Sequence, residues 1–171
     1  MNIFYLDKDP YICAKMHCDK HVVKMILETA QLLSTAHNEL DGTPHIECYK
    51  STHKNHPSAV WVRENAQQYL WAHALLTELC TEYTRRYGKI HKTERVGIVE
   101  NLETLPINIL YDNFREPPQC MPDQYKQGSA IGAYRAYYIG DKAYMARWLY
   151  SDVPAWFSAV SYTHLTLPTK A

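Results

Sequence analysis

His17, His21, Lys24 and Glu28 are four polar side chains at near-helical spacing in an otherwise apolar stretch. At about 100° per residue they share one narrow face, and Cys13, Gln31 and Thr35 extend the same line. Val22, Val23, Met25, Ile26, Leu27, Ala30, Leu32 and Leu33 cover nearly everything else. A carboxylate, an amine and an imidazole on consecutive turns can move protons or attack an electrophile if that face opens into a cleft. Burial would shift their pKa values toward useful ones. Glu28 would then act as general acid or base, or steady a developing cation. Lys24 would be an amine nucleophile, and His21 a proton shuttle or phosphate contact. Facing bulk water, the same residues are a solvated stripe in which Lys24 and Glu28 form an ordinary i,i+4 pair. Periodicity leaves both readings open.

Metal chemistry is the rival. Cys13, His17 and His21 recur at i, i+4 and i+8, with Cys18, His45, Cys48, His53 and His56 nearby in sequence. Two or three ligands from one helix plus a loop ligand would suit zinc and a metal-dependent hydrolase. No Cys-x2-Cys pair and no His-Glu-x-x-His anchors such a set, so no metal is assigned. The alternative is capping histidines and small buried thiols.

These residues need a frame. Asp9-Pro10 starts a helix, with Asp9 as N-cap and Pro10 in the first position. Periodicity carries that helix to about His37, and Gly42 and Pro44 end it. Before it, Asn2 to Leu6 is an apolar run suited to a small strand or an extended segment. Asn55-His56-Pro57 opens a second helix, expected over about Ser58 to Tyr87, with Gly88 as its C-cap. A shorter helix is expected at 92–103, a Pro-rich loop or extended stretch at 104–127, and a last helix at 128–150. Val153 to Phe157 closes the fold as an aromatic plug. The fold class is mainly α: a compact single-domain helical bundle over residues 1–159 with at most one or two short strands.

Composition sets the outer bounds. The chain has 171 residues, enough for one core without disulfide staples. Its five cysteines are odd in number and irregular in spacing, which argues against a disulfide framework. With no secretory leader and no membrane-length apolar run, a cytoplasmic protein without membrane contact is expected. Formal net charge is +0, so any grip on nucleic acid must be local. The one basic run is Arg85 to Arg95, where Arg85, Arg86, Lys89, Lys92 and Arg95 could hold a phosphate backbone. A solvated helix end, favoured by the macrodipole, explains the same run. In the second helix Trp61, Asn65 and Gln68 share a face, and the two amides should bond internally. In the last helix Tyr134, Tyr138, Asp141, Met145 and Trp148 form a core stripe, with Asp141 paired to a cation. Val160 to Thr169 reads like a translated sequencing adapter, so 160–171 is set aside as a non-native tail.

Two resemblances follow from these residues. Met1 to Asp7, His17 to Glu28, Thr52 to Pro57, Arg86 to Lys92 and Ala133 to Tyr138 resemble small uncharacterised phage and bacterial proteins. Asp19-x-His21 with Glu28 seven residues later is similar to the first helix of pyrimidine-dimer DNA glycosylases of the endonuclease V type. Pro154-Ala-Trp156 is similar to a closing pattern of that family. The second resemblance implies a compact, mainly helical DNA-repair enzyme without metal or other cofactor. His21 and Glu28 would contact a flipped-out lesion site, and Glu28 would be catalytic. The family's nucleophile is an N-terminal amine exposed by loss of Met1 before a small residue; here Asn2 follows, which disfavours that loss. The family's arginines beside and one turn after the glutamate correspond to Leu27 and Gln31. Lys24 is then an alternative amine for trapping an opened sugar as an imine. A base glycosylase with DNA as partner is the first functional reading. A non-enzymatic nucleic-acid or protein binding module is the second, and the metal-dependent hydrolase the third.

Overall fold

The computed structural model describes residues 1–159; the adapter-like stretch lies outside the described residues. Among the described residues the main α-helices are α1 Pro10–Met16, α2 Asp19–Asp41, α3 Pro57–Glu64, α4 Ala66–Tyr87, α5 Lys92–Arg95, α6 Ile98–Asn101 and α7 Ala130–Tyr137, and a short helical stretch follows at 155–159. A 3-10 turn at Asp123–Tyr125 and a π-helical turn at Tyr138–Lys142 complete them. Among the described residues there is no strand, and no helix is long and apolar enough to cross a membrane.

α2 and α4 form the central pair, with α1 against α4 and α3 against both. Leu32 and Leu33 of α2 and Leu75, Leu76 and Leu79 of α4 are fully buried between them. The expected start at Asp9-Pro10 holds, because the Asp9 carboxylate accepts from the Tyr11 N–H. Gly88 ends α4 at φ +67°, a left-handed conformation that costs glycine little.

The expected first helix is two helices. The chain breaks at His17–Cys18, both with extended ψ. Three carbonyls at the break are taken by distant side chains. Arg86 Nη2 donates to Lys15 O, the Trp148 indole N–H to Met16 O, and Arg86 Nη1 to His17 O. Partners recruited from positions 86 and 148 satisfy groups that a continuing helix would have bonded. Periodicity cannot register partners so far away in sequence.

The second expected helix also splits. Asn65 is extended, and its side chain caps α4 by accepting the Gln68 N–H, while the Ala66 N–H bonds Leu110 O. Gly97, at φ +88°, divides the 92–103 helix into α5 and α6. The last helix stops well short of residue 150 because the following segment is recruited elsewhere. Arg147 O accepts the Asp19 N–H, and the Leu149 N–H donates to Asp19 Oδ2. Trp148 therefore joins the core from a turn, and Asp141 pairs with the Tyr125 hydroxyl at 2.6 Å where a cation was expected.

The N-terminal segment runs extended through the core. Ile3, Phe4, Tyr5 and Leu6 are buried without strand partners. Side chains satisfy their backbone: the Cys13 thiol donates to Phe4 O and Arg135 Nε to Leu6 O.

Candidate active site

Burying residues 3–6 brings Met1 into the protein. Its ammonium lies 3.3 Å from Glu28 Oε1, on α2. Lys24 Nζ, one turn earlier, is 3.8 Å from Glu28 Oε2. Met1, Asn2, Phe4, His21, Lys24, Met25, Glu28 and Lys142 line a cavity of about 190 Å3. Glu28 is nearly buried, and its Oε2 has no hydrogen-bond partner. A buried carboxylate oxygen left without a hydrogen bond is costly, and such atoms gather at reactive sites. His21, Lys24 and Glu28 of the polar stripe thus border a small, partly open pocket, with Lys24 on its solvent side.

His21 sits on the pocket wall, stacked on Phe4 with ring centroids 4.3 Å apart. Its Nδ1 is 2.6 Å from the Tyr138 hydroxyl. Burial pushes its pKa down to about 3, and His17, Lys142 and Lys24 add to that push. At neutral pH the ring is therefore uncharged, a hydrogen-bonding group and not a cationic acid.

His17 does not belong with it. It lies at the break between α1 and α2, fully buried, with Nδ1 2.7 Å from Cys13 O and Nε2 unpartnered. Burial lowers its pKa to about 4. Cys13 spends its thiol on Phe4 O. The Cys13, His17 and His21 set thus has no common focus, and among the described residues no group of three or more His, Cys, Asp or Glu could hold a metal ion. The other histidines serve locally: His56 and His91 accept the Ser58 and Thr93 N–H groups at the starts of α3 and α5.

These two imidazoles set a pH dependence. An unfolded histidine titrates near 6.5, and both folded values lie well below that. Between about pH 6.5 and 4 the unfolded chain binds more protons, so stability is full above 6.5 and is lost as pH falls. His17 alone accounts for a loss on the order of 3 kcal/mol. Melting temperature followed from pH 7 to pH 4 should fall steadily; a flat profile over that range would show that the two rings are not held neutral.

The basic run is divided by the fold. Arg86 is closed off from solvent, its guanidinium bonded to Asp19, Glu82 and the Lys15 and His17 carbonyls. No face of it is left for a phosphate, and it drops out of the expected DNA-holding set. Burial pushes the Glu82 carboxyl up, but hydrogen bonds from Arg85 and Arg86 outweigh this and hold it below the usual range. Arg85 is half exposed and also bonds Tyr150 O and Ser151. Lys89, Lys92 and Arg95 are exposed. α5, which follows His91, packs beside α2. Asn65 and Gln68 bond each other at 3.0 Å, as expected of an internal pair.

Sequence reasoning missed Met1 and Lys142 as lining of this pocket and Tyr138 as the partner of His21. The apolar run at 3–6 held a clue to the first, since an extended segment that must be buried takes its terminus along. Tyr138 and Lys142 left no local signal, because a turn more than a hundred residues away supplies them.

A family model described as pyrimidine dimer DNA glycosylase matches residues 1–95, and the chain belongs to that family. No curated protein and no solved structure matches it. The matched span includes Met1, His21, Lys24 and Glu28, and ends at Arg95.

Proposed function

Proceeding from that membership, we propose that this DNA-repair glycosylase releases a pyrimidine-dimer base through attack by the Met1 amine, with Glu28 as its acid–base partner. The observation that carries this reading is the 3.3 Å contact between the two groups at a small, polar cavity. Glu28 accepts a proton from the ammonium, and the amine attacks C1′ of a flipped-out deoxyribose. The C1′–N1 bond breaks, and the base leaves with the electron pair and takes up the proton held by Glu28, which restores the carboxylate. Loss of the second amine proton and opening of the ring leave an imine between Met1 N and C1′. Removal of a C2′ proton by Glu28 then expels the 3′ phosphate, and water returns the amine.

Neutral His21 offers a hydrogen bond to the sugar or its phosphate, while Lys24 and Lys142 supply positive charge at the rim. Lys89, Lys92 and Arg95, with Arg85 at one end, hold the backbone of the duplex. Unstacking the target nucleotide costs a few kcal/mol, less at a distorted dimer than at an intact pair. A duplex carrying one pyrimidine dimer tests the reading. Base release and strand cleavage at the dimer, with the undamaged duplex left intact, are expected. Equal treatment of both duplexes would refute it.

A further inference from the structure

One lining residue of the pocket, Lys142, and the partner of His21, Tyr138, come from beyond the matched 1–95 span, on one turn. That turn is the π-helical Tyr138–Lys142, which follows α7. π turns are rare and often occur where side chains must be re-aimed. This one is pinned from outside. The Tyr125 ring packs so tightly over Gly140 that an added Cβ would clash with it, and the Tyr125 hydroxyl bonds Asp141. From the same turn Lys142 reaches the cavity and Tyr138 reaches His21.

The hydrogen bonds around Tyr138 have a direction. The Cys18 N–H donates to the Tyr138 oxygen at 3.4 Å. The phenol is fully buried, and burial raises its pKa well above the usual tyrosine value, so it keeps its proton. That proton has His21 Nδ1 as an acceptor 2.6 Å away. The other ring nitrogen, Nε2, has no partner among the described residues and is not sealed off from solvent. It belongs to a ring that lines the cavity.

We propose that Tyr138 is a positioning residue: its hydroxyl donates to His21 Nδ1, fixes the imidazole proton on Nε2, and so turns His21 into a neutral N–H donor aimed at the substrate. Without the hydroxyl, Nδ1 and Nε2 compete for the proton, and a ring carrying it on Nδ1 offers the cavity an acceptor. The selection of a tautomer by the bond at the far nitrogen is a general property of histidine. The π turn is thus the device by which the C-terminal half of the chain completes a site carried on α2. The proposal rests on the base-excision reading for its catalytic consequence, and its structural content can be read separately.

Nitrogen-15 NMR of the His21 ring tests it in the intact protein. In the wild type a single tautomer with the proton on Nε2 is expected. In Tyr138→Phe, which keeps the buried ring, the His21 signals should shift to a mixture. Turnover on a dimer-bearing duplex should drop about tenfold or more, with KM little changed, as expected when a histidine loses its orienting partner. A wild-type proton on Nδ1 would overturn the proposal even if the variant did not fold, and so would an unchanged tautomer in a folded Tyr138→Phe. The expected tautomers without any cleavage of the duplex would support the Tyr138 assignment and count against the base-excision reading instead.

Discussion

Glu28→Gln should lower base release at a pyrimidine dimer by about a hundredfold to ten-thousandfold, the usual contribution of a positioned acid–base group. The amide keeps the shape of the side chain, so the fold should survive. What it loses is the capacity to take a proton from the Met1 ammonium 3.3 Å away, and later from the sugar. Circular dichroism should stay near the wild-type spectrum, while melting temperature should fall somewhat, because the largely buried Met1 ammonium exchanges a carboxylate for a neutral amide oxygen; the exposed Lys24 contact, at 3.8 Å, adds little. Binding of the damaged duplex should persist, since the residues proposed to hold phosphates, Lys89, Lys92 and Arg95, are elsewhere. Single-turnover cleavage measured beside duplex affinity separates these effects. A Glu28→Gln protein that cuts at the wild-type rate would remove Glu28 from the chemistry.

The largest effect on stability should come from Arg86. Arg86→Met leaves Asp19 and Glu82 buried with their charges and strips partners from two carbonyls at the α1–α2 break. Breaking a buried charge cluster from one side costs about 3–5 kcal/mol, a large part of the 5–15 kcal/mol by which a domain is typically stable. Urea unfolding at pH 7 measures it directly. Asp19 also anchors Leu149, so the loss should spread to the segment that closes the fold. A change below about 1 kcal/mol would mean that other contacts hold the junction. The same residue read from sequence as a phosphate contact is therefore the pin that allows α2 to start at Asp19 and place His21, Lys24 and Glu28 on the pocket.

What sequence made legible was local. Asp9-Pro10, His56-Pro57 and Gly88 mark helix ends through bonds to near neighbours, and each end falls where the residue types place it. The face of His21, Lys24 and Glu28 was readable because it lies within one continuous helix. What failed was non-local. The break at His17 depends on Arg86 and Trp148, and the early end of α7 depends on Asp19 drawing in residues 147–149. His17 looked like a member of the stripe because an unbroken helix would have put it there. Tyr138 was readable as core, and it is core; its hydroxyl bond to His21 spans more than a hundred residues and has no signature in spacing. The N-terminal amine became part of the site through burial of an extended segment, which no periodicity describes.

In the proposed reaction the amine of Met1 attacks the sugar. The most direct measurement incubates the protein with an abasic duplex in the presence of borohydride, digests the trapped complex, and locates the adduct by mass spectrometry. Reduction makes the imine permanent at whichever nitrogen formed it. The adduct should sit on the peptide that starts at Met1 and ends at Lys8, on the terminal nitrogen. An adduct on Lys24, or a duplex cleaved with no adduct anywhere, would contradict the account.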